Sequence, residues 1–237
     1  MIDLRKQLAE TWRVATRAPS KADGGRAIMF MSANEGEGVS SAAASFAMLA
    51  AQRARRGVWL VELDFMNGRL FKAFEPGGAY ADIAGTVGGA HNADLGKASI
   101  YSVAPEKPKS DDAEDGAQSM LSVHRVGDSK LLVSRFRKEK LGHGQQVKIK
   151  TGADYWKAVR GIADWIVVDA PALSKSSAGL AVCSQMDATA LVVQADKTPA
   201  SDVSMLGQEI EGHGGVCMGM MLNKMGYDAV FADQFSG

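Results

Sequence analysis

Short apolar runs recur along the chain at residues 27–32 (AIMFMS), 58–63 (VWLVEL), 165–168 (WIVV), 188–193 (ATALVV) and 216–222 (VCMGMML). Nearly continuous apolarity over about four to eight residues, without polar alternation, is the pattern of strands buried on both faces of a parallel sheet. Residues 98–103 and 131–134 are further strand candidates. Between the runs, residues 40–55, 154–163, 174–185 and 201–211 have helix-forming patterns, and a shorter helix is expected within 77–88. At the start, Leu4, Leu8, Trp12 and Ala15 recur at helical spacing and Pro19 follows, which predicts an amphipathic helix over 2–18. The alternation predicts an α/β fold, a parallel sheet flanked by helices on both faces, with ligands at the carboxyl ends of the strands. The expected organisation is an N-terminal helix, 1–19, followed by a single domain, 20–237, with a polar, mobile loop near 105–118.

The carboxyl end of the first run reads Ser32-Ala33-Asn34-Glu35-Gly36-Glu37-Gly38-Val39-Ser40-Ser41 and leads into the Ala-rich stretch. A phosphate-binding loop needs glycines so that backbone N–H groups can wrap phosphate oxygens at a helix N-terminus. It also needs a lysine for the β and γ phosphates and a Ser or Thr hydroxyl for magnesium. Here Val39 stands at the lysine position and Ala33 at the first glycine. A glycine-rich turn without a ligand is the competing reading of the loop alone. Two acids add to it. Asp64 follows the second run, two residues after Glu62, and Asp169 ends the WIVV run. Strand-end acids hold magnesium and orient water in nucleotide-binding α/β proteins, although an Asp after a strand also serves as a helix N-cap.

On these residues the chain resembles the bacterial tyrosine kinase family, the cytoplasmic P-loop ATPases of capsule and exopolysaccharide export. That family lies in the deviant-Walker group of P-loop NTPases, with the chromosome-partition and division-site ATPases. Gly36-Glu37-Gly38-Val39-Ser40-Ser41 stands in place of the family's GEGKST, and Glu62-Leu63-Asp64-Phe65-Met66 in place of Asp-x-Asp-x-Arg. Val167-Val168-Asp169-Ala170-Pro171 matches the Walker B strand, residues 77–85 look like the glycine-bounded helix, and Leu222-Asn223-Lys224 matches the last strand. The resemblance implies nucleotide contacts from Gly36, Glu37, Gly38, Val39, Ser40, Ser41 and Asn223, the last against adenine. It implies magnesium at Ser40, Asp64 and Asp169, with Asp64 and Asp169 as the catalytic pair. Glu10, Arg13 and Arg17 look like the family's oligomerisation segment, Glu-x-x-Arg-x-x-Arg, with the last arginine displaced by one residue. An intrahelical Glu10–Arg13 pair is the competing reading of that segment.

The departures set the functional expectation. Beyond Val39, Glu62 and Met66, the tyrosine-rich tail that these kinases phosphorylate is missing, with only Tyr155 and Tyr227 after residue 150. Loss of a charge-assisted lysine contact weakens nucleotide binding by about ten- to a hundredfold, and loss of a preorganised donor slows phosphoryl transfer by about 10²–10³. The leading expectation is a degenerate, catalytically silent member that binds ATP or ADP and Mg²⁺ weakly or not at all. It would act as a structural or regulatory partner of a membrane-embedded polysaccharide co-polymerase on a separate chain, itself a homo-oligomer or not, cytoplasmic and peripheral to the inner membrane. The alternatives are an active ATPase or tyrosine autokinase, with Lys72, Lys175 or Lys224 replacing the lysine, and a partition- or division-type switch.

Composition narrows these classes. Lys plus Arg and Asp plus Glu both number 27, so no global field favours nucleic acid or an anionic membrane. The one basic cluster, Arg135 to Lys140, reads first as a solvated edge, with nucleic acid, an acidic tail or lipid headgroups as its other readings. Cys183 and Cys217 lack CxxC spacing and the four histidines are scattered, which argues against zinc or a disulfide scaffold. No apolar run approaches about eighteen residues. The twelve methionines read as core filler.

Overall fold

In the computed structural model, which describes residues 1–93, 95, 98–105 and 120–225, the apolar runs assemble into one sheet. Its central strands are β1 (Arg26–Met31), β2 (Val58–Glu62), β8 (Trp165–Asp169), β9 (Ala188–Gln194) and β10 (Cys217–Asn223). At one edge β3 (Val87–Asn92), β5 (Leu121–Val126) and β6 (Leu131–Phe136) extend the order to β10-β9-β1-β8-β2-β6-β5-β3. The strands from β10 to β6 are mutually parallel, β5 runs antiparallel to β6, and β3, antiparallel to β5, returns to the common direction. A separate antiparallel ribbon joins β4 (Tyr101–Ala104) to β7 (Gln146–Ile149).

Alternation along β1 divides the core, because successive strand side chains leave opposite faces of a sheet. Ile28 and Phe30 pack with α1 (Ala9–Arg17), α2 (Val39–Ala51) and α3 (Arg69–Lys72). Ala27, Met29 and Met31 pack with α5 (Asp154–Ile162), α6 (Ala178–Val182) and α7 (Ala200–Gly212). On the first face α2 presents Ala42, Ala43, Ala44, Ala47 and Ala50, all fully buried, so the helix lies close to the strands. Phe46 is its one aromatic side chain there, meeting Phe30 at 5.4 Å, Trp12 at 5.5 Å and Trp165 at 5.6 Å between ring centroids. Trp12 thus packs against its own domain.

Three expectations change. The first helix is a 3₁₀ turn, Arg5–Gln7, followed by α1, and residues 1–4 are not helical. Their backbone is tied to α2: Ile2 N donates to Ser41 Oγ at 3.2 Å and Leu4 N to Ser45 Oγ at 2.9 Å. The helix expected over 174–185 shrinks to α6 and a 3₁₀ turn, Cys183–Gln185, because Leu173 N and Ser174 N donate to the carbonyls of Ser32 and Ala33. The antiparallel strands β5 and β3 carried no clear apolar signal, since Ser122 and His124 occupy buried positions of β5 and Gly88 and Gly89 dilute β3. His124 is satisfied there, with Nδ1 2.9 Å from Gly88 O and Nε2 3.0 Å from Ser122 Oγ. Of the polar loop near 105–118 all but Pro105 lies outside the described residues, as does Tyr227. Among the described residues no helix is long and apolar enough to cross a membrane.

One buried ion pair locks the central strands at their amino ends. Arg160, at the end of α5, reaches Asp187 with Nη1–Oδ2 at 2.9 Å and Nη2–Oδ1 at 3.1 Å. Asp187 also accepts Ala27 N at 2.8 Å and Lys21 N at 2.7 Å. Arg160→Ala leaves a buried carboxylate without its cation, and the expected loss is about 3–5 kcal/mol of unfolding free energy, read as a lower urea midpoint. Arg13→Ala, which breaks only the exposed Glu10 pair, leaves the midpoint unchanged.

Candidate functional site

β1 hands the chain to α2 through a loop whose two glycines have left-handed backbones, φ +82° at Gly36 and +103° at Gly38. A side chain at Gly38 would place its Cβ 2.1 Å from Asn223 Nδ2. Ser32 Oγ donates to Asn34 O at 2.9 Å, and Asn34 Nδ2 donates to Asp202 Oδ2 on α7 at 2.9 Å. Glu37 turns inward, only 2% exposed, where its carboxylate accepts the Thr198 hydroxyl. The loop is therefore braced from below by the β9–α7 connection. From β10, Asn223 Nδ2 donates to Glu37 O at 2.8 Å and Lys224 Nζ to Gly36 O at 2.5 Å. Asn223 is thus committed to the loop backbone.

The strand ends bring three acids to the same edge. Glu62, 7% exposed, accepts Arg69 N at 3.0 Å and Leu70 N at 3.3 Å, so it caps the start of α3. Burial, reinforced by the charges of Asp169 and Asp64, pushes its carboxyl up to about 8. Asp169, 4% exposed, is pushed up to about 7, first by burial and then by the charge of Asp64, against a hydrogen bond from Ser40 that lowers it. Asp64 is more open. Its Oδ2 forms an ion pair with Lys175 and accepts Asn67 Nδ2 at 2.5 Å.

Above the loop lies a cavity of about 440 Å³, lined by Gly36 to Ser41, Arg69, Pro171, Lys175 and Lys224, with Met1 and Ile2 at its rim. Val39, 8% exposed, belongs to the apolar core on the α2 face. Of the three lysines considered as substitutes, Lys175 and Lys224 line this cavity. Lys72 instead lines a small hollow with Phe65 and Phe136. Arg69 was not foreseen. Its signal in the sequence was its place just after the second acidic motif, where the turn through Gly68 opens α3. Glu10, Arg13 and Arg17 lie apart from the cavity: Glu10 and Arg13 are paired with each other, and Arg13 and Arg17 border a hollow with Val216 and Met218.

No protein-family model matches the sequence, and no curated protein does. Solved structures do. The kinase domain of VpsO superposes with a TM-score of 0.59 at 17% identity, covering 94% of this chain and 95% of that one. The kinase domain of Escherichia coli tyrosine kinase ETK gives 0.58 at 15% identity, over 92% of this chain and 73% of that one. The BceF tyrosine kinase domain gives 0.54 at 14% identity, over 92% and 75%. The fold is that of the bacterial tyrosine kinase domains.

A tyrosine kinase fold implies a nucleotide and magnesium, and the residues here fit the two unequally. The glycine cradle at the start of the thirteen-residue α2 fits phosphate oxygens. The expected magnesium residues, Ser40, Asp64 and Asp169, do not present free ligands: Asp64 is ion-paired with Lys175, and Ser40 is hydrogen-bonded to the buried Asp169.

The two raised carboxyls have a pH signature. Glu62 and Asp169 ionise in the unfolded chain near their ordinary values, 4.5 and 3.8, but in the folded protein only near 8 and 7. Stability is therefore greatest at the acidic end of this window and falls as pH rises from about 4 to about 8. Urea denaturation at pH 5, 6.5 and 8 is expected to show that slope, and Glu62→Gln with Asp169→Asn to flatten it.

Proposed function

We propose that this protein is a catalytically silent domain with a tyrosine kinase fold. It serves as a structural or regulatory partner at the cytoplasmic face of a polysaccharide co-polymerase in exopolysaccharide export. The observation that carries the reading is Val39, which fills the lysine position with an apolar side chain drawn into the core. Phosphoryl transfer depends on charge that meets the developing negative charge of the transition state, and an isopropyl group supplies none. The pairing of Asp64 with Lys175 adds support, since the acid that would answer a metal is already neutralised. The polysaccharide role rests on the resemblance of the motifs and on the likeness of fold to kinase domains.

A second reading, an active ATPase or autokinase with a displaced cation, is favoured by Lys175 and Lys224 at the cavity. Both amines are engaged, one by Asp64 and one by Gly36 O.

Incubation with γ-labelled ATP and magnesium or manganese separates the two. The silent domain gives no labelled protein and no phosphate release above background. In Val39→Lys, magnesium-nucleotide affinity rises about ten- to a hundredfold by calorimetry. Magnesium-dependent labelling of wild type that Asp169→Asn abolishes is the result that overturns silence and installs the second reading.

A further inference from the structure

The cavity over the glycine loop gathers positive charge from three separate elements. Arg69 is the first residue of α3, Lys175 lies in the turn after β8, and Lys224 follows β10. The carboxylates near them are turned to other partners. Glu62 receives the α3 amides, Glu37 points inward to Thr198, and Asp169 is buried with Ser40. Asp64 balances Lys175, and Glu35 is the remaining acid of the lining. Arg69 therefore faces the cavity with little local opposition, beside backbone N–H groups at the head of α2, and Lys224, whose amine donates to Gly36 O, keeps its charge at the same wall because a carbonyl does not neutralise it.

We propose that this cavity takes a phosphate-bearing ligand without a divalent cation, with Arg69, Lys175 and Lys224 supplying the charge that magnesium and the loop lysine supply elsewhere. The chemistry is that of a diphosphate group, free or carried by a nucleoside. A guanidinium offers a planar fork of donors that matches phosphate oxygens two at a time, and an ammonium acts as a point charge. Lys175 has the further property of standing between Asp64 and any metal. While that ion pair holds, magnesium has no free carboxylate to approach, and phosphate meets an ammonium instead. The proposal rests on the reading that this is not a magnesium-nucleotide phosphotransfer site, yet it can fail separately, because it concerns binding in the absence of metal.

Calorimetry of the full chain with pyrophosphate, ADP and adenosine, in EDTA and then in magnesium, tests it. Pyrophosphate and ADP are expected to bind in EDTA and adenosine not to bind. Added magnesium leaves both affinities unimproved, and affinity falls with rising salt. Similar affinities for pyrophosphate and ADP identify the diphosphate as the recognised group, whereas a marked preference for ADP adds a base contact to it. Arg69→Gln and Lys175→Gln, both at exposed positions, each weaken binding about tenfold or more with unchanged unfolding midpoints. Lys175→Gln also frees Asp64, so in this variant alone magnesium tightens ADP. Absence of heat with both phosphates in EDTA, binding that requires magnesium in wild type, or wild-type affinity in both variants overturns the proposal. Labelling by γ-labelled ATP would overturn the silent-domain reading and leave the EDTA result to be judged by itself.

Discussion

The carboxylate of Asp187 is the constraint from which the architecture follows. Buried at the head of β9, it takes hydrogen bonds from the backbones of Lys21 and Ala27 and from both terminal nitrogens of Arg160. One side chain thereby ties the entry to β1, the end of α5 and the start of β9. Arg160 completes the knot by donating to Gly25 O at 2.6 Å and Gln185 O at 3.0 Å. A buried ion pair contributes through specificity of register more than through net free energy, provided every donor and acceptor is answered. Here the register so set runs the length of the strands: Ile28 opposes Ala188 and Phe30 opposes Asp169.

At that far end, polar groups that would serve a ligand serve the protein. Ser41 answers Ile2, Asn223 answers Glu37, and Asp64 answers Lys175. Satisfied networks of this kind are rigid, because in a low-dielectric setting each lost partner is expensive. The loop has Gly36 and Gly38 in left-handed conformations, while Asp64 beside it is held in an ion pair with Lys175. In the reading proposed above, phosphate recognition and phosphate transfer separate, because the first needs backbone amides and cations and the second needs a metal and an open acid.

Much of the sheet was legible because parallel strands buried on both faces have an unmistakable composition: β1, β2, β8, β9 and β10 each lie within a residue or two of their apolar runs. The antiparallel edge was not, since β5 buries a serine and a histidine that satisfy each other and, through His124, the distant Gly88 carbonyl, and so leave no apolar periodicity. The glycine loop and both aspartates were readable from their place after a strand. Which way the loop's neighbours face was not. Asn223, expected from the resemblance to face a base, also donates its amide to Glu37 O, a contact that the close approach of Gly38 makes possible and that no sequence pattern announces. Arg69 escaped notice because its role depends on α3 beginning at that residue, which the buried Glu62 dictates through space.

The hydrogen bonds of residues 1–4 have a mechanical consequence. Ser41 and Ser45 lie one turn apart on a single face of α2 and receive the amides of Ile2 and Leu4, while the Tyr80 hydroxyl donates to Ile2 O at 2.9 Å. The strap is a splint between the helix that closes the glycine loop and the segment leading into α4 (Ala81–Ala84). Axial sliding of α2 would drag both ends of that splint, so the loop can tighten or relax only as one body with the edge of the domain.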